Sequence, residues 1–139
     1  MPFVREALAS IDKGGYVEAL SRAGYLLERK GIPIPLARLE LKQELMEKFK
    51  DLLPEIEPDQ RRRIRGEQEI ICRYEPDKAI DTIPKLLADP NDRKRFKTLL
   101  DQLLADPRFA PENLTQEQLD MVGRIQGAIA PENPKKGKK

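Results

Sequence analysis

The stretch Asn91-Asp92-Arg93-Lys94-Arg95-Phe96-Lys97-Thr98-Leu99-Leu100-Asp101-Gln102-Leu103-Leu104-Ala105 decides the fold class. Phe96, Leu99, Leu100, Leu103 and Leu104 stand at i, i+3, i+4, i+7 and i+8, with polar or charged residues at most of the intervening positions. That spacing winds one apolar stripe along a 3.6-residue period and predicts a helix over 91–105. Asp89-Pro90 precedes it, a capping acid followed by a proline suited to a first helical turn.

Working outward, the same period recurs between Pro and Gly punctuation. A short helix is expected over 2–12, broken by Gly14-Gly15, and a second over about 16–30 with Val17, Leu20, Ala23 or Gly24, and Leu27 on its apolar face. Gly31 is placed to cap that helix in a left-handed conformation. Ile32-Pro33-Ile34-Pro35 must then be extended, because a residue before proline avoids helical angles. A third helix is expected from 35 or 36 to about 53, stopped by Pro54. A fourth follows Pro58 to about 74, and a fifth over 77–88 should kink or split at Pro84. Thr115-Gln116-Glu117-Gln118 has the form of a capping box and opens a last helix to about 129. Leu86-Leu87-Ala88-Asp89-Pro90 recurs as Leu103-Leu104-Ala105-Asp106-Pro107, which we read as a reused helix-to-helix corner. No stretch alternates long enough for a half-buried strand. The expectation is all-α: a single bundle of about seven helices over 1–130, followed by a flexible Lys-rich tail over 131–139.

Composition narrows the function classes. The 139 residues suit one core, with three Tyr, four Phe and no Trp. There are 26 basic and 24 acidic side chains, and four of the lysines fall in the last six residues. The body without that tail is therefore slightly acidic, so nucleic acid is not an expected partner. No apolar run reaches the length of a membrane span, and no signal-peptide core is present. A single cysteine, Cys72, excludes an intramolecular disulfide and fits a cytoplasmic setting. Its neighbours Ile70 and Ile71 mark it as a buried small hydrophobe rather than a nucleophile.

Chemistry is hard to find. The sequence has no His, its serines are Ser10 and Ser21 alone, and neither lies in a Gly-x-Ser-x-Gly turn. No catalytic residue and no cofactor site is expected. The constellation that stands out joins helices three and four. Arg38, Lys42, Leu45, Phe49 and Leu52 form one stripe; Gln60, Ile64, Glu67, Ile71 and Tyr74 form the other. A short 54–58 connection predicts antiparallel packing, with Glu67 reaching Lys42 and Arg38 lying over the Tyr74 ring. The seam of Arg38, Lys42, Glu67 and Tyr74 reads either as a register-fixing ion pair or as a polar pocket for an anion or small ligand. Glu40, Glu44 and Glu47, with Glu67 or Glu69, offer oxygen ligands for a hard cation, on a spacing that matches no calcium loop. Arg61-Arg62-Arg63 with Arg65 opens helix four against its dipole, in a neighbourhood diluted by Asp59, Glu67 and Glu69.

Three segments carry a family resemblance: Gly14-Gly15-Tyr16-Val17-Glu18-Ala19-Leu20, Pro35-Leu36-Ala37-Arg38-Leu39-Glu40-Leu41, and Arg62-Arg63-Ile64-Arg65-Gly66-Glu67-Gln68-Glu69-Ile70-Ile71 with Arg73-Tyr74-Glu75-Pro76. Together they resemble the C-terminal helical region of large bacterial polyhydroxyalkanoate-synthase-like proteins, over about residues 3–129. That region is similar to tellurite-resistance B (TerB) domains, and in the family an α/β-hydrolase-like part lies upstream. The resemblance implies a non-catalytic accessory or interaction domain whose partner is another protein or that upstream hydrolase-like domain, with any enzyme chemistry elsewhere. The alternative it implies is a cation- or small-ligand-binding TerB-type domain using Glu40, Glu44 and Glu67, although these acids do not reproduce a paired Asp and Glu motif.

Overall fold

The structure, a computed structural model, describes residues 2–28 and 36–130, and of residues 2, 28, 36–39, 41, 42 and 108 the backbone alone. The expected cap at Gly31, the extended Ile32-Pro33-Ile34-Pro35 and the tail over 131–139 lie outside the described residues. Among these residues there are eight α-helices and no strand: α1 (Pro2–Ala9), α2 (Tyr16–Glu28), α3 (Leu36–Lys48), α4 (Pro58–Tyr74), α5 (Pro76–Asp81), α6 (Ile83–Leu86), α7 (Pro90–Ala105) and α8 (Gln116–Ile129). Single 3-10 turns occupy Lys50–Leu52, Pro107–Phe109 and Pro111–Asn113.

The count is eight rather than about seven because Pro84 splits the fifth expected helix into α5 and α6. Proline has no N–H to donate and its ring crowds the preceding turn, so Thr82 becomes the joint. Five helices begin with proline in the first turn: α1, α4, α5, α6 and α7. Asp89 caps α7 by accepting from the Asn91 N–H at 2.8 Å. The second Leu-Leu-Ala-Asp-Pro copy behaves differently, since Asp106 ends α7 and only a 3-10 turn follows. At α8 the capping box is complete, with the Gln118 N–H on Thr115 Oγ1 and the Thr115 N–H on Gln118 Oε1, both at 3.0 Å. Gly14 takes φ +128° at the entry to α2, and a Cβ there would meet the Glu18 side chain at 2.7 Å. That side chain is fixed, for its Oε1 accepts from the Gly15 N–H at 2.8 Å.

The core gathers around α2, which packs on α4, α6, α7 and α8. Ala19, Ala23 and Leu26 of α2 meet Ile71 and Cys72 of α4, Ile83 and Leu86 of α6, Phe96 and Leu100 of α7, and Met121, Ile125 and Ile129 of α8. The small residues on α2 let four helices approach it closely. Side chains then tie chain ends to this core. Gln118 Nε2 donates to the Leu27 carbonyl at 3.1 Å, and Arg93 donates to the carbonyls of Ile129 and Ala130 at 3.1 and 3.0 Å. Those carbonyls end α8 and would otherwise lack partners.

The expected pairing of α3 with α4 is corrected. Among the described residues α4 packs most extensively on α2, and also on α1 and α5. Its buried positions are Ile64, Gln68, Ile71 and Cys72, whereas Gln60 and Tyr74 are exposed. The inward stripe is rotated from the expected one because Gln68 points into the core to meet a charge on α2.

Candidate functional site

That charge is Arg22, whose side chain is fully buried. The guanidinium spends its donors on neutral acceptors from four parts of the chain. Nε donates to Gln68 Oε1 at 2.7 Å, Nη1 to the Ala79 carbonyl at 3.1 Å and Thr82 Oγ1 at 2.8 Å, and Nη2 to the Ile11 carbonyl at 2.8 Å. The Thr82 hydroxyl passes its own proton to the Lys78 carbonyl at 2.7 Å. Burial lowers the Arg22 pKa from its ordinary value, while Cys72, Glu67 and Glu18 pull it back upward. A guanidinium starts so high that it keeps its charge at any physiological pH. Arg22 thus clamps the end of the α1 segment, α2, α4 and the α5–α6 joint together. Gln68 Nε2 is the buried side-chain nitrogen that finds no partner in this cluster.

Sequence reasoning passed over both residues. Arg22 stands at the i+3 position of a second stripe on α2, Tyr16, Ala19, Arg22, Ala23 and Leu26, all of them buried. A cation inside an apolar period was the signal available; its acceptors on α4 and the α5–α6 segment lay 46 to 60 residues away.

Of the seam, Glu67 and Tyr74 can be placed. Glu67 is half-buried, its nearest charges being Glu18 and Arg22 of α2 and Arg63 of its own helix. Burial raises its pKa, Glu18 raises it further, and Arg63 and Arg22 oppose the rise. Tyr74 is 59% exposed at the end of α4. The side chains of Arg38 and Lys42 lie outside the described residues. Glu40 and Glu44 are exposed on α3, and among the described residues no three His, Cys, Asp or Glu side chains gather closely enough to hold a metal ion. The trio of Glu40, Glu44 and Glu67 is therefore not brought together. Glu67 lies near α2, where Glu18 and Arg22 act on it. Arg61, Arg62, Arg63 and Arg65 are exposed, with Arg62 paired to Asp59.

A raised carboxyl pKa has a defined sign in stability. Glu67 favours the fold when protonated, so its contribution is fully present below the ordinary glutamate pKa of about 4.3 and is lost as pH rises through its folded value. The Glu67→Gln variant is accordingly expected to melt above the parent chain at pH 7. The difference should vanish as pH falls below the ordinary glutamate range. Melting curves across about pH 3 to 8 check this; a variant less stable at pH 7 would show that the carboxylate is held by a favourable pair instead.

Cys72 is 4% exposed, and burial pushes its thiol up to about 12 despite nearby Arg22. Its Sγ–H points at the Arg22 carbonyl, 3.9 Å away. The native thiol should react with a disulfide reagent about a thousandfold more slowly than a free cysteine at the same pH, from thiolate fraction alone. Denaturant should restore the rate, and fast native labelling would contradict the burial.

A groove of about 210 Å³ runs between α2, α3 and α7. Leu20, Ala23, Gly24 and Leu27 line it from α2, Phe96, Leu99, Leu100 and Leu103 from α7, and Leu45, Met46, Phe49 and Leu53 from α3 and the segment after it. The lining side chains are apolar, and none of them is titratable or carries an N–H or O–H. The apolar face expected on α2, Leu20 to Leu27, borders this groove, while the stripe holding Arg22 enters the core. The Tyr16 hydroxyl donates to the Leu52 carbonyl and so holds the 3-10 turn after α3 to the start of α2. Arg95 of α7 lies over the Tyr16 ring at 4.0 Å and pairs with Asp92 at 2.9 Å, fixing the same corner.

Comparison with protein-family models, curated proteins and solved structures finds no match to this chain. Its functional reading therefore rests on the geometry and the sequence segments above. Among the described residues no helix is long and apolar enough to cross a membrane.

Proposed function

We propose that the chain is a non-catalytic accessory domain of the binding kind, the C-terminal helical part of a larger cytoplasmic polyhydroxyalkanoate-synthase-like protein. The observation that carries the non-catalytic half is the chemistry of the groove. Catalysis needs a nucleophile, acid, base or oriented dipole facing a reacting atom, and none of the apolar side chains lining this groove supplies a nucleophile, acid or base. The buried polar residues Arg22, Gln68 and Thr82 are turned to one another and to backbone carbonyls, which supports a structural role for them. The accessory half rests on the three resembling segments, of which Gly14 to Leu20 and Arg62 to Pro76 contribute the start of α2 and most of α4, the most extensively packed pair.

The reading is tested by mixing the purified chain with a separately expressed α/β-hydrolase-like region of a polyhydroxyalkanoate-synthase-like protein. Co-elution as a stoichiometric complex is the expected outcome, and the chain alone should not hydrolyse short acyl esters above the buffer rate. Ester turnover by the purified chain, or separate elution of the two proteins at high concentration, would reject it.

Glu67 and the acids of α3 give the cation-binding alternative no cluster to use. The groove favours the small-ligand form of that alternative.

A further inference from the structure

We infer that the arginine-rich outer face of α4, from Arg61 to Gly66, is a docking surface for an acidic segment of a partner protein. The inference rests on reading the chain as an accessory binding domain, and it gives that reading a surface. Arg61, Arg62, Arg63 and Arg65 crowd the first two turns of α4, and all four are exposed. Cations at that end oppose the helix dipole, and Arg61 and Arg65, one turn apart, repel each other. Arg62 is relieved by Asp59, and further along the helix Arg73 pairs with Glu69 at 3.4 Å. Arg61 and Arg65 have no acidic partner among the described residues.

Gly66 is a second residue that the fold does not require. It lies in the middle of α4, where glycine is the poorest helix former short of proline. No positive φ calls for it, and a Cβ there would find nothing within 4 Å. A bare stretch of helix backbone lets another chain come close. Arg62 stands one turn before Gly66 on the same side of the helix, and Arg65 lies next to it. The guanidiniums therefore border a low point where a partner's backbone can settle. Two features that weaken the isolated helix, and that its packing does not explain, share one face.

Charge selects the occupant. A guanidinium matches the two oxygens of a carboxylate or a phosphate. Nucleic acid presents its phosphates in an unbroken row, and that row would meet Asp59 and Glu69 on this same face. A protein segment can set carboxylates against Arg61 and Arg65 and leave neutral residues opposite the acids.

The test is a titration of the purified chain with a soluble peptide of Glu and Ala, its glutamates at i and i+4, followed by backbone amide shifts. Saturable shifts are expected along Arg61 to Gly66, with affinity falling about tenfold as salt rises from about 50 to 300 mM. Arg61→Gln combined with Arg65→Gln should weaken the peptide about tenfold at an unchanged amide spectrum elsewhere. The matching pair of Lys substitutions should lose only part of this, since charge stays while the fork is lost. Gly66→Leu separates docking from structure. It should raise the melting temperature, because leucine is the better helix former, and yet weaken the peptide severalfold by filling the low point. No saturable shifts, shifts confined to the C-terminal lysines, or full affinity in either the double Gln variant or Gly66→Leu would overturn the inference. A single-stranded oligonucleotide of equal charge binding more tightly at these residues would overturn it in favour of nucleic acid. Concentration-dependent shifts here without peptide would overturn it in favour of a second copy of the chain.

The peptide is read on the chain alone. Peptide binding without co-elution of the hydrolase-like region would reject the accessory role and leave this surface standing. Co-elution undiminished by the double Gln variant would keep the accessory role and reject this surface.

Discussion

Arg22→Ala is expected to lose about 4 kcal/mol of stability in urea unfolding, a large share of the 5–15 kcal/mol that holds a typical domain. The loss has two sources. Truncation strips the Ile11 and Ala79 carbonyls and the Gln68 amide oxygen of their shared donor, and it opens a void where the fully buried side chain lay. Thr82 suffers less, because its hydroxyl keeps the Lys78 carbonyl. Arg22→Met, which fills most of the volume, should lose less than Arg22→Ala. Adding Gln68→Leu to Arg22→Met should recover part of that loss, since the orphaned amide is removed together with the charge it met. The double-mutant cycle is the decisive measurement. Additive losses would mean that Arg22 and Gln68 act independently, and a loss under 1 kcal/mol for Arg22→Ala would end the clamp interpretation.

Phe96→Ala is the second large effect, about 3–4 kcal/mol in the same assay, as usual for a buried phenylalanine. Phe96 is 2% exposed, packs in the main core and also borders the groove. Its removal takes contacts from the core and leaves a void beside the groove, and a loss under about 2 kcal/mol would mean that neighbouring side chains collapse into the vacated space.

Much of the local structure was legible because it is governed by local chemistry. Proline at first turns, the Asp89 cap, the Thr115–Gln118 capping box and the break at Pro84 act within a few residues of themselves. Their consequences can be read without knowing what packs where. The stripe on α7 was equally plain, and Phe96 and Leu100 are buried as its spacing requires. The α3–α4 seam was different. A short connection and two matching stripes gave α4 a neighbour in sequence, whereas α2 holds it by more extensive packing. Ile64 and Ile71 belong to both stripes of α4, and what differs is whether Glu67 or Gln68, about 100° apart on a helix, turns inward between them. Choosing between them depends on what waits on the other side.

The all-helical class, the helix ends and the absence from the sequence of histidine and of a nucleophile turn were determined by the sequence itself, because propensity, capping and residue chemistry are properties of short segments. The tertiary structure decided which face of α2 and α4 turns inward, and with it the burial of Arg22, the turn of Glu67 toward Glu18 and the groove beside Ala23 and Gly24. Those outcomes depend on partners far along the chain. A buried guanidinium must find acceptors wherever the fold can bring them, and here they come from Ile11, Gln68, Ala79 and Thr82 at once.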